Sequence, residues 1–340
     1  MSQGHSHSER GIIPKGFGGE VRGALEVVQE SGPQAVRLLP DERRPQYLDL
    51  AEMAGRSMHY LINNPRPHLD YECRFSIAPL ACPPAPEGRD PITLGDTDCR
   101  MDWEFIYMRA MSGSEQGREV ERGLRRRILT YVREDGLSWV PMHHYCIPNL
   151  KDFEPAASLW ATNKTLLSLS ETYLRTGDEE ARTLARKMFL ALKGLAAWEG
   201  PCAYYEGGSG PWRNGKWIDS FITVMNPSTV EPLVRYWECT GDEQARDFAV
   251  ALTEGMLAGL QTNLGDNRVA EDGTFLGHVH AQGHAIWGVA HLGLVTGEGR
   301  YLDWARHALD FILETQATDY GWVPEWVAEK REGRAFNTGR

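Results

Sequence analysis

Two carboxylates one helical turn apart, histidines four residues apart and loops that mix aromatic with acidic side chains are the residues here best suited to chemistry. Asp98 and Asp102 share one face of the helix-period segment from Gly95 to Glu104, and Arg100 is turned away from them. Acids that close repel, which raises at least one pKa when they are buried, and a raised carboxyl suits a general acid. The plainer alternative is that Asp96 or Asp98 only caps a helix, where a carboxylate is stabilised anyway.

Four further segments hold candidates. Pro141-Met142-His143-His144-Tyr145 leads through Glu154-Pro155 to a helix bearing Trp160, read as core, and Lys164, a charge that needs a partner or a substrate. Tyr204 to Trp212 is a glycine-rich loop without the GxxxxGK phosphate pattern, and its interleaved aromatics suit stacking on sugar rings. In His278-Val279-His280, followed by His284, the last two are spaced as metal ligands can be. No acid within that motif orients an imidazole, so substrate hydrogen bonding by His278 and His280 is expected, with His284 a satisfied inner-helix residue. Thr318 to Trp326 places Asp319 and Glu325 among three aromatics. Asp98 is therefore expected as catalytic acid, with Asp319 or Glu325 as its partner. Substrate contacts are expected from Asp96, Arg100, Asp102, His143, His144, Lys164, Tyr205, Trp212, His278, His280 and Trp322. No metal and no cofactor are assigned.

The elements that must position these residues follow from a repeat. Ser112-Gly113-Ser114-Glu115, Thr176-Gly177-Asp178-Glu179, Thr240-Gly241-Asp242-Glu243 and Thr296-Gly297-Glu298 recur at glycine-to-glycine steps of 64, 64 and 56 residues. Glycine suits the left-handed residue ending one helix, and Ser or Asp caps the next. Each phrase thus joins two helices, and such hairpins need neighbours to bury their apolar faces. Tyr47-Leu48-Asp49-Leu50-Ala51 resembles Tyr301-Leu302-Asp303-Trp304-Ala305, which adds a fifth turn near residue 44 after a helix around Val21 to Glu30. A sixth turn would fall beyond Arg340, so either the ring is incomplete or truncated in this chain or the count of hairpins is wrong. The fold class predicted is all-α, an (α/α) toroid of hairpins in one domain over 16–340, with residues 1–15 as a flexible tail.

The first helix of each hairpin, as in Pro155 to Tyr173, carries few charges, whereas its successor, as in Glu179 to Lys193, has a charged stripe. The first is expected inside and the second outside. The connectors between hairpins are long, about 64–97, 135–154, 198–225, 264–279 and 318–340, and gather at one rim beside the inner-helix N-termini.

Composition narrows the classes. The 340 residues are 41% hydrophobic and 24% charged, a soluble globular balance. No apolar run approaches the roughly 18 residues of a membrane span, and no signal-peptide core is present, so a cytoplasmic location is expected. A net charge of −11 argues against nucleic-acid and anionic-membrane partners. The longest basic run, Arg125-Arg126-Arg127, is read as a solvated helix face. Six cysteines without a CxxC pair are read as free thiols.

The hairpin array with Thr-Gly-Asp turns, the His278-Val279-His280 motif and the Asp319-Tyr320-Gly321-Trp322-Val323-Pro324-Glu325 loop resemble the six-hairpin glycosidases over roughly residues 40–340. The nearest branches are the β-L-arabinofuranosidase-like and unsaturated-uronidase-like glycoside hydrolases. The resemblance implies an (α/α)6 toroid and a carbohydrate substrate. The arabinofuranosidase-like branch holds zinc with a glutamate and clustered cysteines, one of them nucleophilic. Only Glu72-Cys73 echoes that pattern here, so the metal and nucleophile are not carried over.

The leading expectation is a glycoside hydrolase acting on a small oligosaccharide or a plant or bacterial polysaccharide fragment through two carboxyls. A sugar epimerase or isomerase is the alternative, in which two histidines, His143 or His144 with His278 or His280, exchange a proton at carbon. A third reading is a non-catalytic sugar-binding or incomplete toroid that completes itself as a homo-oligomer.

Overall fold

The computed structural model describes residues 49–73, 91–141, 155–206, 211–217, 226–260, 268–269, 273–318, 322–323 and 326–327. A single helix, α1 (Leu50–Asn63), precedes a run of hairpins: α2 (Pro91–Ser112) with α3 (Arg118–Tyr131), α4 (Leu159–Thr176) with α5 (Glu179–Leu195), α6 (Val230–Thr240) with α7 (Glu243–Leu257), and α8 (Val279–Thr296) with α9 (Gly299–Thr315). The repeated phrase does what its residue types allow. Gly177 and Gly241 adopt φ of 72° and 71°, and their N–H groups donate to Tyr173 O and Trp237 O. Asp178 then accepts from the N–H of Glu180 and Ala181, and Asp242 from that of Gln244. Each turn therefore satisfies backbone groups on both of its helices.

The first described turn departs from this pattern. Ser114 Oγ accepts from the Gln116 N–H inside a longer turn, and α3 starts after Gly117 at φ 69°. A Cβ on Gly117 would sit 2.3 Å from Ile62 Cγ1, so the close approach of α1 as well as the backbone angle demands glycine. Asp49 caps α1, accepting from Ala51 and Glu52, whereas Asp303 lies within α9. The two matched segments are thus out of register. The turn near residue 44 and the helix around Val21 to Glu30 lie outside the described residues.

Helices α2, α4, α6 and α8 pack side by side in chain order, and their hairpin partners back them. Every residue of α4 from Leu159 to Glu171 is buried, whereas α5 buries Ala181, Ala185, Met188, Phe189 and Leu192. That four–three spacing is the apolar stripe of an outer helix. The main core joins these stripes with Leu166, Leu169, Leu233, Tyr236, Phe248 and Leu252. A second core, with Met58, Phe105, Leu124 and Ile128, lies between α1, α2 and α3.

The long connectors contain short strands: β1 (Trp139–Pro141), β2 (Pro155–Ser158), β3 (Ala197–Glu199), β4 (Cys202–Tyr204), β5 (Pro211–Arg213), β6 (Lys216–Trp217), β7 (Arg268–Val269), β8 (Phe275–His278) and β9 (Trp326–Val327). β2 pairs antiparallel with both β1 and β5, and β8 with both β7 and β9. Since β2 runs into α4 and β8 into α8, connectors from successive hairpins hydrogen-bond to one another at the N-terminal ends of inner helices. Pro155–Ser158 is therefore strand rather than the expected helix start, and Ser158 caps α4 from Ala161 N–H. Helix α2 starts at Pro91, which puts Asp96 and Asp98 within the helix rather than at its cap. Among the described residues no helix is long and apolar enough to cross a membrane.

Candidate active site

Each inner helix turns a polar stripe toward the middle of the array. Lys164 of α4, Glu231 of α6 and His284 of α8 meet there, with side chains 3%, 3% and 13% exposed. His284 Nδ1 is 2.8 Å from Glu231 Oε2, and Lys164 Nζ is 3.2 Å from His284 Nδ1 and 3.7 Å from Glu231 Oε2. Since an ionised carboxylate only accepts, the imidazole donates from Nδ1.

Local sequence explains the convergence. Asn163 Nδ2 donates to Thr229 Oγ1 at 3.0 Å, which ties α4 to the start of α6 beside Lys164 and Glu231. A Cβ on Gly288 would lie 2.7 Å from the backbone nitrogen of Glu231, so the missing side chain lets α6 approach α8 one turn past His284.

Toward the rim the cluster continues with Trp160, His280 and Arg100. Trp160 meets His280 and His284 edge-on at centroid distances of 5.8 and 5.1 Å, and the two imidazoles are 5.1 Å apart. Arg100 of α2 lies over the Trp160 ring at 5.3 Å, and its Nη1 reaches His280 Nε2 at 3.2 Å. Trp103 and Trp287 face each other at 6.1 Å, and Lys164 Nζ lies 5.4 Å from the Trp103 ring. The first and last described inner helices thus meet through side chains across the opening.

A second polar layer lies seven residues further along the same helices, about 10 Å deeper. Tyr107 donates to Glu171 Oε1 at 2.6 Å, Arg235 pairs with Glu171, and His291 Nε2 lies 3.0 Å from Glu238 Oε2.

Electrostatics sort the roles. Burial holds the His284 pKa below its ordinary value, with Lys164 and Arg100 pushing the same way against the bond to Glu231. His284 is therefore neutral at pH 7. Burial would raise Glu231, but Lys164 and the His284 hydrogen bond outweigh it and keep the carboxyl below the usual range. Glu231 Oε1 is buried without a hydrogen-bond partner. A neutral imidazole oriented by an ionised carboxylate, with cations alongside, is an arrangement suited to general-base proton transfer.

The acids of α2 point the other way. Asp98 has no exposed surface and accepts from Arg127 Nε at 2.7 Å, Tyr131 Oη at 3.0 Å and Cys73 N at 3.0 Å. Asp102, also fully buried, takes Arg125 Nε at 2.7 and 2.8 Å and the Ser168 hydroxyl. Burial raises the Asp98 pKa, against the pull of Arg127. Both carboxylates anchor α2 to its outer neighbour instead of facing the opening. The Arg125-Arg126-Arg127 run is thus a solvated face only at Arg126, 68% exposed.

The other expected residues divide. Arg100, Lys164 and His280 belong to the axial cluster. Tyr205 is a core residue, 1% exposed, donating to Leu192 O at 3.1 Å. Trp212 sits in the rim sheet, edge-on to Trp139 at 6.4 Å, and Trp322 is 48% exposed beyond α9. His143, His144, Asp319 and Glu325 lie outside the described residues, as do the side chains of Asp96 and His278. The sequence patterns do not single out Glu231, and they give His284 and Trp160 only packing roles. The signal was there, in ionisable residues spaced by seven on otherwise apolar helices. Among the described residues no group of three or more His, Cys, Asp or Glu is placed to hold a metal.

This arrangement of hairpins recurs in solved structures. The GH76 α-mannanase of Bacteroides thetaiotaomicron superposes with a TM-score of 0.53 at 13% identity, covering 68% of this chain and 61% of that one. The chain shares the (α/α)-toroid fold of helical hairpins with that protein. Cellobiose 2-epimerase from Bacillus thermoamylovorans gives 0.50 at 14% identity, covering 68% and 63%. Both matches span less than two thirds of the other protein's length. No protein-family model matches the chain, and no curated protein matches it in sequence.

Proposed function

We propose that this chain is a sugar-active enzyme that moves a proton at a substrate carbon, an epimerase or isomerase. The observation that carries the reading is the His284–Glu231 pair beside Lys164 on three neighbouring inner helices. With Nδ1–H donated to Glu231, Nε2 of neutral His284, which Lys164 Nζ approaches at 3.4 Å, takes a proton from the carbon next to a sugar carbonyl when the substrate oxygen draws Lys164 to itself. The C–H electron pair then forms the enediolate, whose oxygen charge Lys164 and Arg100 stabilise. His280, one turn nearer the rim, returns a proton to the carbon. The cellobiose epimerase with this fold is consistent with such chemistry.

Glycoside hydrolysis is the second reading. It is favoured by the unpartnered Glu231 Oε1 and by the fold shared with the mannanase. It needs a second carboxyl across the sugar, from Asp319 or Glu325. A panel of free aldoses, β-linked disaccharides and aryl glycosides separates the two. Isomerised sugar with intact glycosidic bonds supports proton transfer, and released aglycone supports hydrolysis.

A further inference from the structure

At the opposite, turn-side end of the array, a cavity of about 860 Å³ opens between the first two described hairpins, bounded by α2, α3 and the C-terminal half of α4. Its volume is that of a small-molecule site. Five arginines and two glutamates line it, a surplus of three positive charges in a chain whose net charge is −11. Lys164 lies two turns up α4 from Thr172 in its wall, so the cavity is separate from the axial cluster.

The arginines are not equally committed. Arg125 is spent on Asp102, Thr172 and Ser168, and Arg118 on Glu115 and Glu121. Arg175 lies over the Tyr107 ring at 5.5 Å and hydrogen-bonds through Nε to Glu171 at 3.2 Å, which leaves its terminal nitrogens without a hydrogen bond among the described residues. Arg109 is committed like Arg125 and Arg118, to Glu121 through Nε at 2.9 Å and Nη2 at 2.7 Å and to the carbonyl oxygens of Ser114 and Gln116 through Nη1. Arg122 is exposed on the lining and has no ion pair among the described residues. Arg122 of α3 and Arg175 of α4 line one cavity with donors to spare, and guanidinium groups match the oxygens of a phosphoryl group, which accept in pairs. The Glu115 carboxylate, 75% exposed, is free to swing away as Arg118 turns to an incoming anion.

We propose that this cavity binds a small molecule bearing a phosphoryl or pyrophosphoryl group, with Arg122 and Arg175 as its primary contacts. The test is calorimetric titration of the whole chain with pyrophosphate at low salt. One molecule is expected to bind per chain. Arg122→Glu is expected to weaken binding by at least about tenfold, because it removes a charge-assisted contact and adds repulsion. Arg118→Gln with Arg122→Gln should weaken it without adding an acid, and Lys164→Met should leave it unchanged. Absence of binding to the wild type overturns the proposal. So does unaltered binding to Arg122→Glu, or loss with Lys164→Met alone, which would place the anion in the axial cluster.

Discussion

His284 Nδ1 and Glu231 Oε2, from neighbouring helices of the inner layer, stand 2.8 Å apart with Lys164 against both. Fifty-three residues separate the two in sequence. Their meeting depends on Gly288, on the Asn163–Thr229 bond and on the stacking of α4, α6 and α8.

Removing either partner should stop the reaction without unfolding the chain. His284→Gln keeps a hydrogen-bonding side chain near Glu231 but has no basic nitrogen. Turnover is expected to fall by about 10²- to 10⁴-fold, the usual worth of a positioned base. Glu231→Gln should act through the imidazole it orients, lowering kcat more than it raises KM. Steady-state kinetics beside a circular dichroism melt check both variants.

The pH profile follows from the depressed His284 pKa. The active form is the neutral imidazole, so kcat/KM should fall only as pH drops below the ordinary histidine value of about 6.5. Lys164→Met removes one charge that holds the pKa down, so the acid limb should move to higher pH. A limb that stays in place in this variant would mean that another group controls it.

Asp98 gives the opposite pattern. Asp98→Asn removes the 2.7 Å partner of Arg127 and leaves it Glu72 at 3.8 Å and the carbonyls of Leu69 and Asp70, so the loss lies at or below the roughly 3–5 kcal/mol of a fully broken buried pair. A clear fall in melting temperature is expected, with turnover per folded molecule near wild type. Chemical denaturation and active-site-normalised rates measure the two effects separately.

Gly288→Ala tests positioning. The added methyl would meet the Glu231 backbone at 2.7 Å, so α6 and α8 must separate. Activity is expected to drop more than the roughly 1–3 kcal/mol stability cost of overpacking would suggest, because His284 and Glu231 move apart. A destabilised variant with full turnover would contradict this role for the close approach.

Much of the architecture was legible because it rests on local chemistry. Gly177-Asp178 and Gly241-Asp242 specify their turns by a left-handed residue and a side-chain cap, and α4 announced its burial by lacking charges. The site was less legible because partner choice is a tertiary matter. Asp98 and Asp102 look like an acid pair on their helix, yet Arg127 and Arg125 of the next helix neutralise them from outside the ring. Arg100, two residues from each, faces the axis on the other side. Tyr205 reads as a loop aromatic until β4 and α5 bury it. Glu231 follows the short Asn226–Thr229 turn without any motif, and only the packing of α6 against α8 gives it a function.

Proton exchange at carbon is the most direct measure of the account. The wild-type chain, incubated with candidate aldoses and disaccharides in deuterated water, should place solvent deuterium at the carbon beside the carbonyl while every glycosidic bond stays intact. His284→Gln should abolish that signal. Cleavage without deuterium at carbon, or exchange undiminished in His284→Gln, would contradict the assignment.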